Sequence, residues 1–235
     1  RCSCEGREQI PYGSDFITDI AGALVRLSKG HHIEGIIIDN QLGQLLHRVP
    51  ATATRVQHRL VELLYPEEQS RGTFKRFGEA LAFYESKVKS FAFDIMTLPE
   101  GGGLLETIAQ AYLKSGKCRV VASVYPSRQG VEVALHRGEG FSQRKPSYGI
   151  VDTHTRTHGC FADYIQAFLD NGDIFGDMNG KGVFLYATRG AKPHLEDILS
   201  RNNLSLNELD LLIEHQANIA MIPMTRQRLM DNGGE

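Results

Sequence analysis

Apolar positions recur along the chain in two periods, and where each period holds an element is expected. Ile33 to Asp39 (IEGIIID) is a short run rich in β-branched residues and reads as a buried strand. Ahead of it, Phe16 to Leu27 carries an apolar stripe at helical spacing, so a helix feeding a parallel strand is expected. After Pro50, Thr52 to Leu64 puts Val56, Leu60, Val61 and Leu64 on one helical side. Tyr65 to Gly78 is polar, and Pro66 and Gly72 oppose regular structure there, which predicts a surface excursion. Phe91 to Ile95 reads as a strand, Pro99 to Gly103 as a turn, and Leu104 to Ser115 as a helix stopped by Gly116. Arg119 to Val124 and Gly130 to His136 read as two strands close enough to pair antiparallel.

From Gly138 to Ser147 the chain turns polar and glycine-bearing, which marks the best internal boundary and divides it into residues 1–140 and 141–235. Beyond it, Tyr164 to Leu169 reads as a short helix, Gly182 to Ala187 as a strand and His194 to Ser200 as a helical segment. Ser205 is placed to cap the turn NELD, Leu209 to Ile213 reads as a strand, and Ile219 to Leu229 as a helix that Pro223 should kink. Helices and apolar strands in both parts predict a layered α/β architecture.

Composition removes some functions. With 26 basic and 28 acidic residues among 235, the formal charge of -2 offers no global field for a polyanion or an acidic membrane surface. The runs Arg71 to Arg76 and Lys87 to Lys89 are short and mixed, so no nucleic-acid partner is expected. No apolar run approaches the roughly 20 residues of a bilayer span, and no signal-peptide pattern is present, so no membrane partner and a cytoplasmic location are expected. Cys2, Cys4, Cys118 and Cys160 include no CxxC pair, which argues against a disulfide lattice or zinc knuckle and for a reducing compartment. The chain starts at Arg1 rather than Met, so residue 1 is not expected to be the natural start.

Leu209 to Ile222 (LDLLIEHQANIAMI) resembles the strand, histidine turn and following helix of ketoacyl synthase III and its thiolase-fold, acyl-condensing relatives. Asp210 precedes the apolar run, and His215, Gln216, Ala217 and Asn218 match the HQAN motif residue by residue. Ala92 to Ile95 (AFDI), a glycine-rich turn and Ala109 to Gly116 (AQAYLKSG) look like the segment entering the family's nucleophile helix, without insertion or deletion. Weaker matches are Phe175 to Ala187 (FGDMNGKGVFLYA), similar to a stretch before the first strand of the family's second half, and Pro50 to Leu60. The resemblance implies a thiolase-like fold of two related α/β halves, each with a central mixed sheet layered with helices. It implies acyl transfer or decarboxylative condensation on acyl-CoA or acyl-carrier-protein thioesters. Coenzyme A or phosphopantetheine thioester would be substrate, with no covalently bound cofactor, in a homodimer or a heterodimer with a related subunit.

The departure lies at the nucleophile. Where the family carries a cysteine, a small residue and glycine, this chain has Pro99, Glu100 and Gly101. Thioester exchange needs a polarizable nucleophile, which proline lacks. Glu100 is a candidate charge or base beside it, and Gly101 and Gly102 are candidates for close approach of an acyl or pantetheine group. His215 is the main catalytic candidate, because a neutral Nε2–H can donate to a thioester oxygen as negative charge develops. Asn218 is a candidate for substrate contact and for holding the turn. The family's second asparagine and its terminal glycine-rich loop have no counterpart, so an incomplete or divergent chain is expected. A degenerate noncatalytic partner subunit or acyl-binding protein is the alternative. Asp152, His154 and His158 in DTHTRTH could line one face of a strand, but a polar loop is expected there and no metal is assigned. Cys160 is expected to be structural.

Overall fold

The computed structural model describes residues 2–11, 15–39, 51–95, 102–127, 130–138, 152, 154–170, 173–214 and 218–230. These divide into two compact units, one within the spans Arg1–Arg144 and Arg156–Asp177 and one within Lys145–Thr155 and Met178–Glu235.

The first unit is built on a five-stranded mixed sheet. Its strands are β1 (Cys2–Pro11), β2 (Gly35–Asp39), β3 (Phe91–Ile95), β4 (Val120–Ser127) and β5 (Gly130–Gly138), in the order β1-β5-β4-β2-β3. β2 lies parallel to both β3 and β4, whereas β5 runs antiparallel to β4 and to β1. Every residue of β2 is buried, as a central strand covered on both faces requires. Alternation then divides the core between those faces. Ile36 and Ile38 join Val120, Ala122, Val124, Val131, Val133 and Leu135 beneath α1 (Phe16–Ser28) and α2 (Thr52–Leu64). Ile37 and Val121 face the other way, onto Leu105, Ala109 and Leu113 of α5 (Gly102–Lys114). The α/β architecture expected from the periodicity is therefore present, with antiparallel β4 and β5 and a helix feeding the parallel strand β2.

Two expectations in this unit change, and one element is additional to those expected. The N-terminal segment is β1, an edge strand paired with β5 from Cys2 to Pro11 with a register shift between Cys4 and Gly6. The stretch from Tyr65 is more regular than its Pro and Gly suggest. It contains α3 (Pro66–Ser70), a 3-10 turn at Thr73–Lys75 and α4 (Phe77–Phe83), which runs into a π-helical turn at Tyr84–Val88. Pro66 occupies the first turn of α3, where its missing N–H costs nothing. Leu64, expected on the buried side of α2, is exposed, and Gln57 is buried instead.

After a 3-10 turn at Gly159–Tyr164 come β6 (Ile165–Asp170) and β7 (Asp173–Met178), which pair with each other. Residues 164–169, expected as a helix, thus form mostly strand: hairpin pairing to β7 supplies their backbone partners. In the second unit, Gly182 to Ala187, expected as a strand, lies inside α6 (Gly180–Arg201), a 22-residue helix. Asn179 starts it by accepting from the Gly182 N–H at 2.9 Å. Ser205 forms the expected cap, a reciprocal capping box with Glu208 over the 3-10 turn Leu206–Glu208. Leu209 to Ile213, expected as a strand, forms none, and Leu211 and Ile213 are 73% and 79% exposed. A strand exists only as part of a ladder, and among the described residues this run has no strand partner. The final helix, α7 (Met221–Met230), begins two residues later than expected. Pro223 is therefore its third residue, among the N–H positions that have no intrahelical acceptor, and no kink is required of it.

Candidate functional site

The motif AFDI forms β3, and Asp94 in it has a defined task. α2 begins after Ala51, which has no side-chain acceptor, so its first amides need one from elsewhere. Asp94 accepts from the N–H groups of Thr52 and Ala53, each at 2.8 Å, through its two carboxylate oxygens. Burial raises the Asp94 pKa, and these two bonds oppose the rise. The far edge of β3 is covered by chain from the other side of the sequence. Thr157 Oγ1 accepts from the Ala92 N–H at 2.9 Å and donates to the Ala92 carbonyl at 3.0 Å. Gln57, 1% exposed, joins the same segment to α2. Its amide nitrogen reaches Ser90 Oγ at 2.8 Å and the Thr157 carbonyl at 3.0 Å, and its oxygen accepts from the Gly159 N–H at 2.9 Å.

Past β3, Pro99, Glu100 and Gly101 lie outside the described residues; Gly102 is the first residue of α5. The helix buries Leu105, Ala109 and Leu113 on the sheet, while Phe91 packs on Phe93 and Tyr112 at ring separations of 5.7 and 4.7 Å. Beside this apolar stripe lies a polar group. Arg7 of β1 pairs with Glu106 of α5 at 2.8 Å and with Glu132 of β5 at 2.5 Å, and donates to the Tyr125 hydroxyl of β4 at 2.9 Å. The Tyr125 hydroxyl is 2.5 Å from Glu132 and 3.1 Å from Glu106. Burial, then Glu132, raises the Tyr125 pKa; burial disfavours charge on Glu132, but Tyr125 and Arg7 outweigh it and hold that carboxyl low. On the same strands, Ser123 Oγ meets His136 Nε2 at 2.8 Å, and burial lowers the His136 pKa.

His215, Gln216 and Ala217 also lie outside the described residues. Asn218 is described and exposed: its Oδ1 accepts from the Ala220 N–H at 2.9 Å, and its carbonyl from the Met221 N–H at 3.0 Å. It thus holds the turn into α7, one of the two roles expected of it. Of the expected site residues, then, the structure describes Asn218, in the turn before α7, and Gly102, at the head of α5.

The DTHTRTH segment sends its polar groups to different carboxylates and amides. In the second unit, Asp152 accepts from the Asn202 side chain at 2.9 Å and His154 pairs with Asp197 at 2.9 Å. In the first, His158 pairs with Glu85 of the π-helical turn at 2.8 Å. That turn also sets the Tyr84 hydroxyl 3.0 Å from His58 Nδ1. Burial lowers the His58 pKa against the opposing charges of Glu62 and Asp163. Cys160 lies against this cluster, and burial pushes its thiol up to about 12, as it does that of Cys118. Gln57, Thr157 and Tyr84 carry no motif, and their partners are up to 102 residues away, so only the fold reveals them.

No family model matches the chain. Among curated proteins it is 28% identical over 177 residues to the β-ketoacyl-acyl-carrier-protein synthase III of Ehrlichia canis, covering 66% of this chain and 55% of that one. It is 32% identical over 162 residues to the enzyme of the same name from Salmonella arizonae, covering 60% and 50%. Among solved structures, a 3-oxoacyl-acyl-carrier-protein synthase III from Aquifex aeolicus has a TM-score of 0.34 at 21% identity, covering 91% of this chain and 64% of that one. The priming β-ketosynthase of the R1128 polyketide pathway has 0.36 at 17%, covering 92% and 64%. Superpositions at these TM-scores add nothing to the sequence relation. The chain is thus similar in sequence to proteins named β-ketoacyl-acyl-carrier-protein synthase III, and it spans about half the length of the curated relatives it matches.

Proposed function

We propose that this chain acts on acyl thioesters, of coenzyme A or of an acyl carrier protein, in the manner of the ketoacyl synthase III family. The carrying observation is the HQAN segment within a chain 32% identical over 162 residues to a β-ketoacyl synthase III. His215 is the oxyanion donor: its neutral Nε2–H stabilises charge on the thioester oxygen when a malonyl thioester loses carbon dioxide, leaving an enolate that takes up a proton or attacks an acyl group. Asn218 holds the turn that follows the histidine, and Gly101 and Gly102 leave room for pantetheine to approach α5. Glu100 supplies a charge or base beside them. A related subunit, in a homodimer or heterodimer, completes the assembly.

Covalent acyl transfer is the step this sequence supports least, because Pro99 stands where the family has its cysteine. Cys160 is no substitute, since a thiol with its pKa near 12 is almost wholly protonated at neutral pH. This favours noncovalent handling of the thioester, and keeps open the second reading, a noncatalytic acyl-binding partner. Incubation with malonyl-CoA separates them: decarboxylation to acetyl-CoA that is lost in His215→Ala supports the catalytic reading. Acyl-CoA binding without carbon dioxide release selects the binding partner.

A further inference from the structure

The apolar face of α5 carries Leu105, Ala109 and Leu113 at i, i+4 and i+8, with the half-buried Ile108 and Tyr112 packed beside them. Apolar contact of this kind holds a helix onto a sheet but is not itself directional. Direction comes from Glu106, one turn inside α5. Two carboxylates, Glu106 and Glu132, share the one hydroxyl proton of Tyr125, at 3.1 and 2.5 Å. Alone, that arrangement is repulsive, because one proton cannot satisfy two anions. Arg7 reverses the sign: its guanidinium reaches Glu106 at 2.8 Å, Glu132 at 2.5 Å and Tyr125 at 2.9 Å, using several donors of a rigid fork. Four side chains from β1, β4, β5 and α5 are thus joined through a residue near the start of the chain.

We infer that Arg7 is a positioning residue, which by bridging Glu106, Glu132 and Tyr125 fixes α5, and with it the Gly102 end of the helix, on the sheet. The inference deepens the acyl-thioester reading and rests on it only for the ligand; the tie itself is independent of it. Replacing Arg7 leaves Glu106 facing Glu132 without a cation, so α5 is loosened rather than merely less stable.

The test is amide hydrogen exchange on the full chain, comparing α5 amides from Thr107 to Leu113 with ladder amides of Val121 and Val133, together with calorimetric titration of acetyl-CoA. Arg7→Met should speed exchange in α5 by about tenfold, the scale of losing charge-assisted hydrogen bonds, with the ladder amides unchanged. It should weaken acetyl-CoA by a similar factor. Arg7→Lys, which keeps the charge but not the fork, should recover part of both. The double variant Arg7→Met/Glu106→Gln should lie closer to wild type than Arg7→Met alone, because the repulsion is gone; a loss of packing alone would leave it no better. Unchanged exchange in α5, an equal rise in the ladder amides, or a double variant as loose as the single one overturns the inference. If Arg7→Met does not fold, the comparison passes to Arg7→Lys and Glu106→Gln. A wild-type protein that ignores acetyl-CoA while its α5 exchange follows this pattern removes the acyl-thioester reading and leaves the positioning role standing.

Discussion

Cys160 and Cys4 show how burial decides what a residue can do. Both are free thiols, but Cys4 is exposed on β1, whereas Cys160 packs against the buried cluster of Val61, Tyr84 and Val88. A thiol raised to about 12 rather than about 8.5 has its thiolate fraction cut by roughly three orders of magnitude at neutral pH. Iodoacetamide at pH 7.5 should therefore alkylate Cys4 in the folded protein and leave Cys118 and Cys160 intact until denaturant is added, as read by peptide mass spectrometry. Rapid alkylation of Cys160 in the native protein would contradict this and restore it as a nucleophile. Asn218 shows the reverse relation between motif and task. The motif points to chemistry, while its Oδ1 is engaged with the Ala220 N–H at the start of α7. Its carboxamide does the ordinary work of a turn residue.

The first unit was more legible than the second because its elements announce themselves locally. Ile36, Ile37 and Ile38 form a short β-branched run that suits a strand covered on both faces, and Val56 and Leu60 at helical spacing fit α2. β1 was not legible: its alternating Glu5, Arg7 and Gln9 have the composition of a loop, and it is a strand because β5 offers a ladder to pair with. Gly182 to Ala187 shows the opposite failure. Val183, Phe184 and Tyr186 favour strands by composition, but the Asn179 cap starts a helix and, among the described residues, no strand pairs with this segment. In the candidate site, HQAN and AFDI were visible as sequence, and the capping of α2 by Asp94 was not. That contact joins residues 42 positions apart, so no local pattern encodes it. Residues 99–101 and 215–217, which carry most of the expected chemistry, lie outside the described structure.

Across the molecule, the buried histidines set a pH dependence. Burial lowers the pKa of both His58 and His136 relative to exposed histidine, so the folded state prefers their neutral forms. For a depressed folded value, the stability contribution is present above the unfolded pKa near 6.5 and is lost as pH falls below it toward the folded value. Urea denaturation should therefore give a lower midpoint at pH 5.5 than at 7.5, a window above most carboxylate titration, and His136→Gln should flatten the difference. An unchanged or higher midpoint at pH 5.5 would show that these imidazoles are not held neutral. Among the described residues no helix is long and apolar enough to cross a membrane. The central claim is recognition of an acyl thioester, and the most direct measurement is calorimetric titration of the wild-type chain and His215→Ala with acetyl-CoA. Saturable one-site binding to wild type, weakened about tenfold or more in the variant, is the predicted result, the scale of removing one buried donor. No binding by the folded wild-type protein, or equal binding by both, would contradict the account.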